Sequence, residues 1–262
     1  MSKNYYSIKK LCDIVKEAGQ ILLGDGRTHI SSKGYADYVT EADLAVQEFI
    51  ISRLSKMYPD AEFLSEEKEY RPDPAKHVFV LDPIDGTTNL IRRLNQSSIS
   101  LGLVIEGKPV MGIVYNPFVN EMFYAERGNG AFLNGRKISV SSAKKLSDSL
   151  AVVGTSPVRR DNAKENMRMI AKVFDACQDI RCFGSGTLNI CSVADGRHEL
   201  YVEADIKPWD FCAGSVIISE AGGKLTDWNG NTPDPFKNLN VIATNGEVHN
   251  EAVALVSDID LK

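Results

Sequence analysis

The chain has 262 residues, 43% of them hydrophobic and 25% charged, which places it among ordinary globular proteins and excludes disordered, collagen-like and low-complexity classes. Its 35 Asp and Glu against 30 Lys and Arg leave a net charge of −5, a poor footing for binding that depends on nucleic acid or an anionic membrane. With only four histidines, any acid–base or metal chemistry falls first to carboxylates.

The five cysteines (Cys12, Cys177, Cys182, Cys191 and Cys212) form no Cys-x-x-Cys pair and no zinc-spaced cluster, so they read as reduced core thiols. The N-terminal MSKNYYSIKK has no apolar stretch of the signal-peptide kind. No apolar run approaches the roughly 18–20 residues of a membrane span. A soluble, cytoplasmic protein is the expectation.

Taken in chain order, Ile8, Leu11, Val15, Ala18 and Leu22 recur at helical spacing and predict a first helix. Residues 24–37 are polar and Gly-bearing and read as a long mobile loop. A second helix starts near Thr40, buries Val46, Phe49, Ile50, Leu54 and Met57, and ends before Pro59. His77–Asp82 has the short apolar run of a buried strand that stops at Pro83. From Ser98 to Val140, short β-rich runs separated by Glu-Gly, Asn-Pro, Gly-Asn-Gly and Asn-Gly predict an antiparallel meander. Beyond residue 145 the pattern alternates: a strand at 149–156, helices at 161–176 and 187–195, a strand at 199–204, and a helix at 211–221 closed by Gly222-Gly223. This predicts a mixed α/β (α+β) chain in two halves, 1–145 and 146–262, each with its own sheet.

The chemistry concentrates in Val80-Leu81-Asp82-Pro83-Ile84-Asp85-Gly86-Thr87-Thr88-Asn89. A strand delivers two carboxylates at its end and a helix starts straight after. Asp82, Asp85 and the Ile84 carbonyl suit hard divalent cations, which prefer oxygen. The N–H groups of Gly86, Thr87 and Thr88 would favour a phosphate beside them. A capped helix would need only one such residue. Glu66-Glu67, alone, reads as a solvated surface pair; beside two aspartates its repulsion becomes affinity for Mg²⁺. Thr40 with Asp43 fits a capping box, and Asp43 fits a metal cluster equally well. Asp210 reads either as the cap of an apolar helix or as a ligand brought in by the small residues that follow it. Cys191 and Arg197 match the Cys-x5-Arg spacing of cysteine phosphatases, but on a helix end and not in a strand-to-helix loop. No histidine shares a motif with the acids.

Together, Val39-Thr40-x-x-Asp43, Glu66-Glu67, Asp82-Pro-Ile-Asp85-Gly-Thr-Thr-Asn, Gly130-Ala-Phe-Leu-Asn-Gly135 and Trp209-Asp210-x-x-Ala-Gly resemble the inositol monophosphatase family, lithium-sensitive and magnesium-dependent phosphomonoesterases related to fructose-1,6-bisphosphatase. The resemblance implies a layered α-β-α-β-α fold and a homodimer. It implies two or three Mg²⁺ per site held by Glu66, Asp82, the Ile84 carbonyl, Asp85 and Asp210. Asp43 and Thr87 would activate the attacking water, supported by Glu66 and Glu67, with no phosphoenzyme. Asp85, Gly86, Thr87, Gly184, Ser185, Gly186, Glu203 and Asp210 would meet the substrate. Lys33 resembles a loop lysine near an outer metal, a surface lysine being the plainer reading. The implied substrate is myo-inositol 1-phosphate, with histidinol phosphate or fructose 1,6-bisphosphate, or an added regulatory binding role, as alternatives. The Asp205-Ile206-Lys207-Pro208 approach to Trp209 looks individual to this chain.

Overall fold

A computed structural model of the chain describes residues 5–24, 30–35, 37–67 and 72–259. Two long helices come first among the large elements, α1 (Ile8–Leu23) and α2 (Glu41–Met57). Between them lies a hairpin, β1 (Ile30–Gly34) and β2 (Asp37–Thr40). The predicted 24–37 loop is therefore partly sheet, its residues 25–29 and 36 lying outside the described set. All five β1 residues are exposed, so the strand carries no inward-facing alternation for a sequence reading to find.

The first sheet has seven strands in simple order: β3 (Glu62–Ser65), β4 (His77–Asp85), β5 (Ser98–Ile105), β6 (Lys108–Asn116), β7 (Glu121–Glu126), β8 (Ala131–Leu133) and β9 (Arg136–Lys137). β3 runs parallel to β4, and every later pairing is antiparallel, as the turn signals after Ser98 predict. A short helix, α3 (Thr87–Arg92), joins β4 to β5. β4 does not stop at Pro83. It continues to Asp85 through an irregularity between Asp82 and Asp85, where a residue without an N–H is tolerated.

The second sheet, in the order β11-β10-β12-β14-β13, holds β10 (Leu150–Val153), β11 (Asp179–Arg181), β12 (Leu200–Ile206), β13 (Lys224–Asp227) and β14 (Leu239–Thr244). Its helices are α4 (Ala163–Ala176), α5 (Gly186–Ala194), α6 (Pro208–Glu220) and α7 (His249–Val256). The α6 helix starts three residues before the predicted 211, because Pro208 occupies its first turn, where a missing N–H does no harm.

Packing orders these parts as α-β-α-β-α. One face of the first sheet (Phe79, Leu81, Leu101, Leu103, Ile113) closes on α1 and α2. Its other face (Val114, Phe123, Ala125) closes on α5 and α6, which also receive Tyr201, Val241 and Ala243 of the second sheet. The outer face of that sheet (Val153, Val202, Ile242) packs on α4 and α7. Alternate residues of β4 and β12 thus enter different cores, which is why the start of β4 reads as a continuous apolar run. No helix among the described residues is long and apolar enough to cross a membrane. The core-thiol reading holds for the buried Cys191 and Cys212. Cys12 and Cys177 are half-buried and Cys182 is exposed, because the 182–184 segment lies outside any packed layer.

Candidate active site

The parallel pairing of β3 with β4 puts Ser65 beside Leu81, so Glu66 leaves β3 where Asp82 leaves the regular part of β4. The Glu66 N–H still donates to the Leu81 carbonyl, at 3.3 Å. After the irregularity Asp85 comes level with Ser98, and Gly86 turns the chain with φ 82°. A Cβ there would lie 2.8 Å from the Gln96 carbonyl oxygen and 3.2 Å from that of Gly184, so the turn needs glycine on both counts. Asn89 donates to the Phe183 carbonyl at 2.7 Å and that of Gln96 at 2.8 Å, tying this turn to the second half of the chain.

Asp82, Asp85 and Asp210 converge, with one carboxylate oxygen of each lying within 4.8 Å of the others. Asp82 is 1% exposed, and its Oδ1 accepts the Ile84 N–H at 3.0 Å. Asp85 Oδ2 accepts the Ser185 hydroxyl at 2.5 Å, the Thr187 hydroxyl at 2.6 Å and the Thr187 N–H at 2.8 Å. Asp210 Oδ2 accepts the Lys207 N–H at 2.7 Å from the first turn of α6. Asp210 is thus both capping residue and cluster member, and not the helix's N-cap itself. Among the described residues no Lys or Arg side chain bonds any of the three. Burial pushes all three carboxyls above their usual range, and their mutual repulsion adds to it for Asp82 and Asp210. Three clustered acids, Asp82 buried and Asp85 and Asp210 half-buried, are unfavourable without a cation, and an all-oxygen donor set of this kind fits a hard divalent ion.

Glu66 and Glu67 are not the solvated surface pair of the plainer reading. Glu67 is 7% exposed at its side chain, and Lys33 Nζ reaches its Oε1 at 2.5 Å and that of Glu66 at 3.3 Å. The hairpin thereby brings the ammonium of the exposed Lys33 onto the acids. Glu66 stands outside the tight aspartate group. Burial, with help from the Glu67 charge and against Lys33, raises its carboxyl to about 7.

Asp43 serves both of its readings. Its Oδ2 accepts the Thr40 N–H at 2.7 Å and the Thr40 hydroxyl at 2.6 Å, closing the capping box of α2. Its Oδ1 faces the Thr87 hydroxyl at 3.4 Å, which also lies 3.1 Å from the Ile84 carbonyl oxygen. Burial raises the Asp43 carboxyl, against the two Thr40 bonds.

A cleft of about 780 Å³ opens over these groups, lined by Lys33, Glu66, Asp85, Gly86, Thr87 and Asp210. The lining also includes Gly154–Ser156, Gly184, Gly186, Glu203, Asp205 and Lys207. Glu203 accepts the Ser156 N–H at 3.0 Å and the Tyr201 hydroxyl at 2.6 Å, in space left by the missing side chain of Gly154. Ser185 is buried behind the wall and meets Asp85 instead of the cleft. Thr187 escaped the sequence reading although it supplies two bonds to Asp85. The Ser185-Gly-Thr start of α5 was the available signal.

The rival centres come apart. Cys191 is buried inside α5, and Arg197 pairs with Asp195 and Glu121. His77 meets Tyr6, and His198 meets Ser192. His249 is held between the Thr226 and Thr244 hydroxyls at 3.1 and 2.9 Å. His29 lies outside the described residues. Burial, and less strongly Lys224, lowers the His249 pKa to about 4. Its unfolded value is near 6.5. The unfolded state then binds more protons between those values, so this group's contribution to stability is present above pH ~6.5 and lost as pH falls towards 4. An NMR titration of the His249 ring should show a midpoint near 4; one near 6.5 would contradict the buried neutral ring.

A half-buried carboxylate cluster at a strand end, opening on a cleft beside a hydroxyl–carboxylate pair, defines the class: a hydrolase site built for hard cations. The known proteins agree. A sequence profile of the inositol monophosphatase family matches residues 4–261. A Thermotoga maritima fructose-1,6-bisphosphatase/inositol-1-monophosphatase is 34% identical over 262 residues, 99% of this chain and 97% of the relative. Inositol monophosphatase 2 of Solanum lycopersicum is 38% identical over 251 residues, 90% of this chain and 92% of the relative. The solved structure of the extragenic suppressor protein suhB from Bartonella henselae superposes with a TM-score of 0.90 at 33% identity, covering 97% of this chain and 99% of that one. The chain belongs to the inositol monophosphatase family and is a phosphatase.

Proposed function

We propose that the protein hydrolyses a small polyol phosphate, with myo-inositol 1-phosphate the leading substrate, by direct attack of water and without a phosphoenzyme. The observation that carries this reading is the convergence of Asp82, Asp85 and Asp210, bonded by no Lys or Arg side chain among the described residues, next to the Thr87–Asp43 pair. Glu66, Asp82, the Ile84 carbonyl, Asp85 and Asp210 would hold two or three Mg²⁺. The chemistry supplied by bound Mg²⁺ is acidification of a water and neutralisation of charge on the ester.

The rest falls to the chain. Asp43 has its Oδ2 committed to Thr40, which leaves Oδ1 to accept from Thr87. The Thr87 oxygen can then accept a proton from the attacking water and pass one to Asp43. Glu67, held by Lys33, adds negative charge to the Glu66 side of the cluster. The Gly86 and Thr87 N–H groups would hold the phosphate, and Gly184, Gly186 and Glu203 the polyol. Ser185 acts through Asp85, with its hydroxyl committed there. The active form would be a homodimer, which sedimentation would test.

The deciding experiment is phosphate release from myo-inositol 1-phosphate, histidinol phosphate and fructose 1,6-bisphosphate with Mg²⁺, EDTA and Li⁺ as variables. The expected result is highest turnover on the inositol ester, loss of activity with EDTA, recovery with Mg²⁺ and inhibition by Li⁺. Turnover untouched by EDTA would discard the mechanism. Faster turnover of the bisphosphate would overturn the substrate.

A further inference from the structure

Of the segment that looks individual in the sequence, Asp205-Ile206-Lys207-Pro208, the first three residues line the cleft together with Asp210. The pairing of β12 with β14 skips between Glu203 and Ile206, and Asp205 sits in that skip with φ 50°, a conformation costly to most side chains. Its N–H donates to Asn240 Oδ1 at 2.9 Å. Its carboxylate is a hub. Oδ2 accepts Arg159 Nη1 at 3.0 Å and Lys207 Nζ at 3.1 Å, and Oδ1 accepts Asn238 Nδ2 at 3.2 Å. Arg159 also meets Asp161, through Nη2 at 3.1 Å.

Three side chains, Arg159, Lys207 and Asn238, therefore fix where this acid points, while Asn240 holds its backbone on the strained turn. Asp205 and Lys207 both line the cleft, on the wall that carries Glu203. Without Asp205, that wall would offer the Lys207 ammonium, with Arg159 close behind it, to any second anion on the substrate. With it, the ammonium is already paired and a carboxylate faces the same space. An uncharged polyol suits the pair, because ammonium protons and carboxylate lone pairs both remain for hydroxyls. A second phosphate would bring its charge against the carboxylate.

We infer that Asp205 is a specificity-determining residue: it makes the cleft favour a phosphate ester of an uncharged polyol over one whose alcohol part carries a second phosphate. The inference rests on the hydrolase reading above, and deepens it by assigning the choice of alcohol to this chain's own β12 turn.

The test compares kcat/KM for fructose 1,6-bisphosphate and myo-inositol 1-phosphate in wild type and Asp205→Asn, with Mg²⁺ saturating. Asparagine tolerates the positive φ and keeps one acceptor, so the turn survives while the charge goes. The bisphosphate-to-inositol ratio should rise at least about tenfold, the order expected when a like charge leaves a ligand's path. The change should fall mainly in KM for the bisphosphate. Adding Lys207→Met to Asp205→Asn should bring the ratio back down, which general loosening of the wall would not do. Asp205→Gly, which relieves the backbone strain, should raise the ratio as asparagine does and serves if asparagine weakens folding. A ratio unchanged or lowered in both single variants overturns the inference and leaves the hydrolase standing. Wild-type protein inactive on both esters overturns the polyol-phosphate reading, and this inference with it.

Discussion

Replacing Asp82 by asparagine is expected to abolish Mg²⁺-dependent phosphate release and, in the same protein, to raise the melting temperature of the metal-free form. Both effects come from one cause. Asp82 is almost wholly buried, accepts a hydrogen bond from the Ile84 N–H, and faces Glu66, Asp85 and Asp210. Asparagine can keep that bond through its carbonyl oxygen while removing one of the repelling charges. Loss of a ligand charge from a site that must hold divalent cations should lower turnover by about a thousandfold or more, roughly 4 kcal/mol of transition-state stabilisation. For a chain near this size, each kcal/mol released in the metal-free form appears as a rise of roughly 2–4 °C in Tm. A variant that loses both activity and stability would instead make Asp82 a structural residue.

The pH dependence has a definite sign. Asp82, Asp85, Asp210 and Glu66 all have carboxyls raised in the folded protein, Glu66 to about 7. Between the ordinary carboxyl value near 4 and the raised ones, the native state holds more protons than the unfolded state. The cluster's contribution to metal-free stability therefore falls as pH rises through that window. Mg²⁺ binds only the ionised acids, so it should restore Tm most strongly at pH 7 and above and little near pH 5. Differential scanning across pH, with and without Mg²⁺, reads this directly. In Asp82→Asn both the decline and the Mg²⁺ response should shrink.

What the sequence disclosed and what it hid divide along physical lines. The acids were legible because carboxylates at a strand end beside Gly-Thr-Thr have few structural uses. Asp82, Asp85 and Asp210 meet within 4.8 Å although Asp210 is far along the chain. The seven-stranded meander was legible because its turns are local chemistry. The β1–β2 hairpin was not, since five exposed residues leave no apolar alternation. The run of β4 through Pro83 was hidden for another reason. Whether a proline ends a strand depends on whether the partner strand needs its N–H, and here the skip against β5 removes that need. The bonds from Ser185 and Thr187 to Asp85 belong to the same class: each side chain is ordinary locally, and only the meeting of α5 with the end of β4 gives it work. Lys33 was underread because a lysine's partner lies wherever its hairpin folds.

Gly112→Ala is expected to have the largest effect of any single methyl group added to the first sheet, and to damage the metal site from a distance. Gly102 and Gly112 are directly paired across β5 and β6, and α6 lies against them. A Cβ on Gly112 would sit 2.1 Å from the Ala213 carbonyl oxygen and 2.8 Å from its carbon. That obstacle is backbone, so no rotamer relieves it and α6 must move away. Overpacking of this kind costs about 1–3 kcal/mol and sometimes more; the backbone clash puts this case at or above the upper end. Asp210 sits one turn before Ala213, so the shift carries its carboxylate away from Asp82 and Asp85. A displacement near 1 Å can cost about a hundredfold in rate. Urea unfolding should show the stability loss, and a Mg²⁺ titration followed by Tm should show weakened binding at temperatures where the variant is still folded. Gly102→Ala offers the contrast. Its nearest obstacle, at 2.7 Å, is the Cys212 sulfur, a side-chain atom. Adding Cys212→Ala should therefore recover part of the stability lost in Gly102→Ala, whereas adding Ala213→Gly to Gly112→Ala should recover none. If Ala213→Gly did rescue Gly112→Ala, the contact would be one between side chains, and the glycine pair would not be what seats α6 and Asp210 at the site.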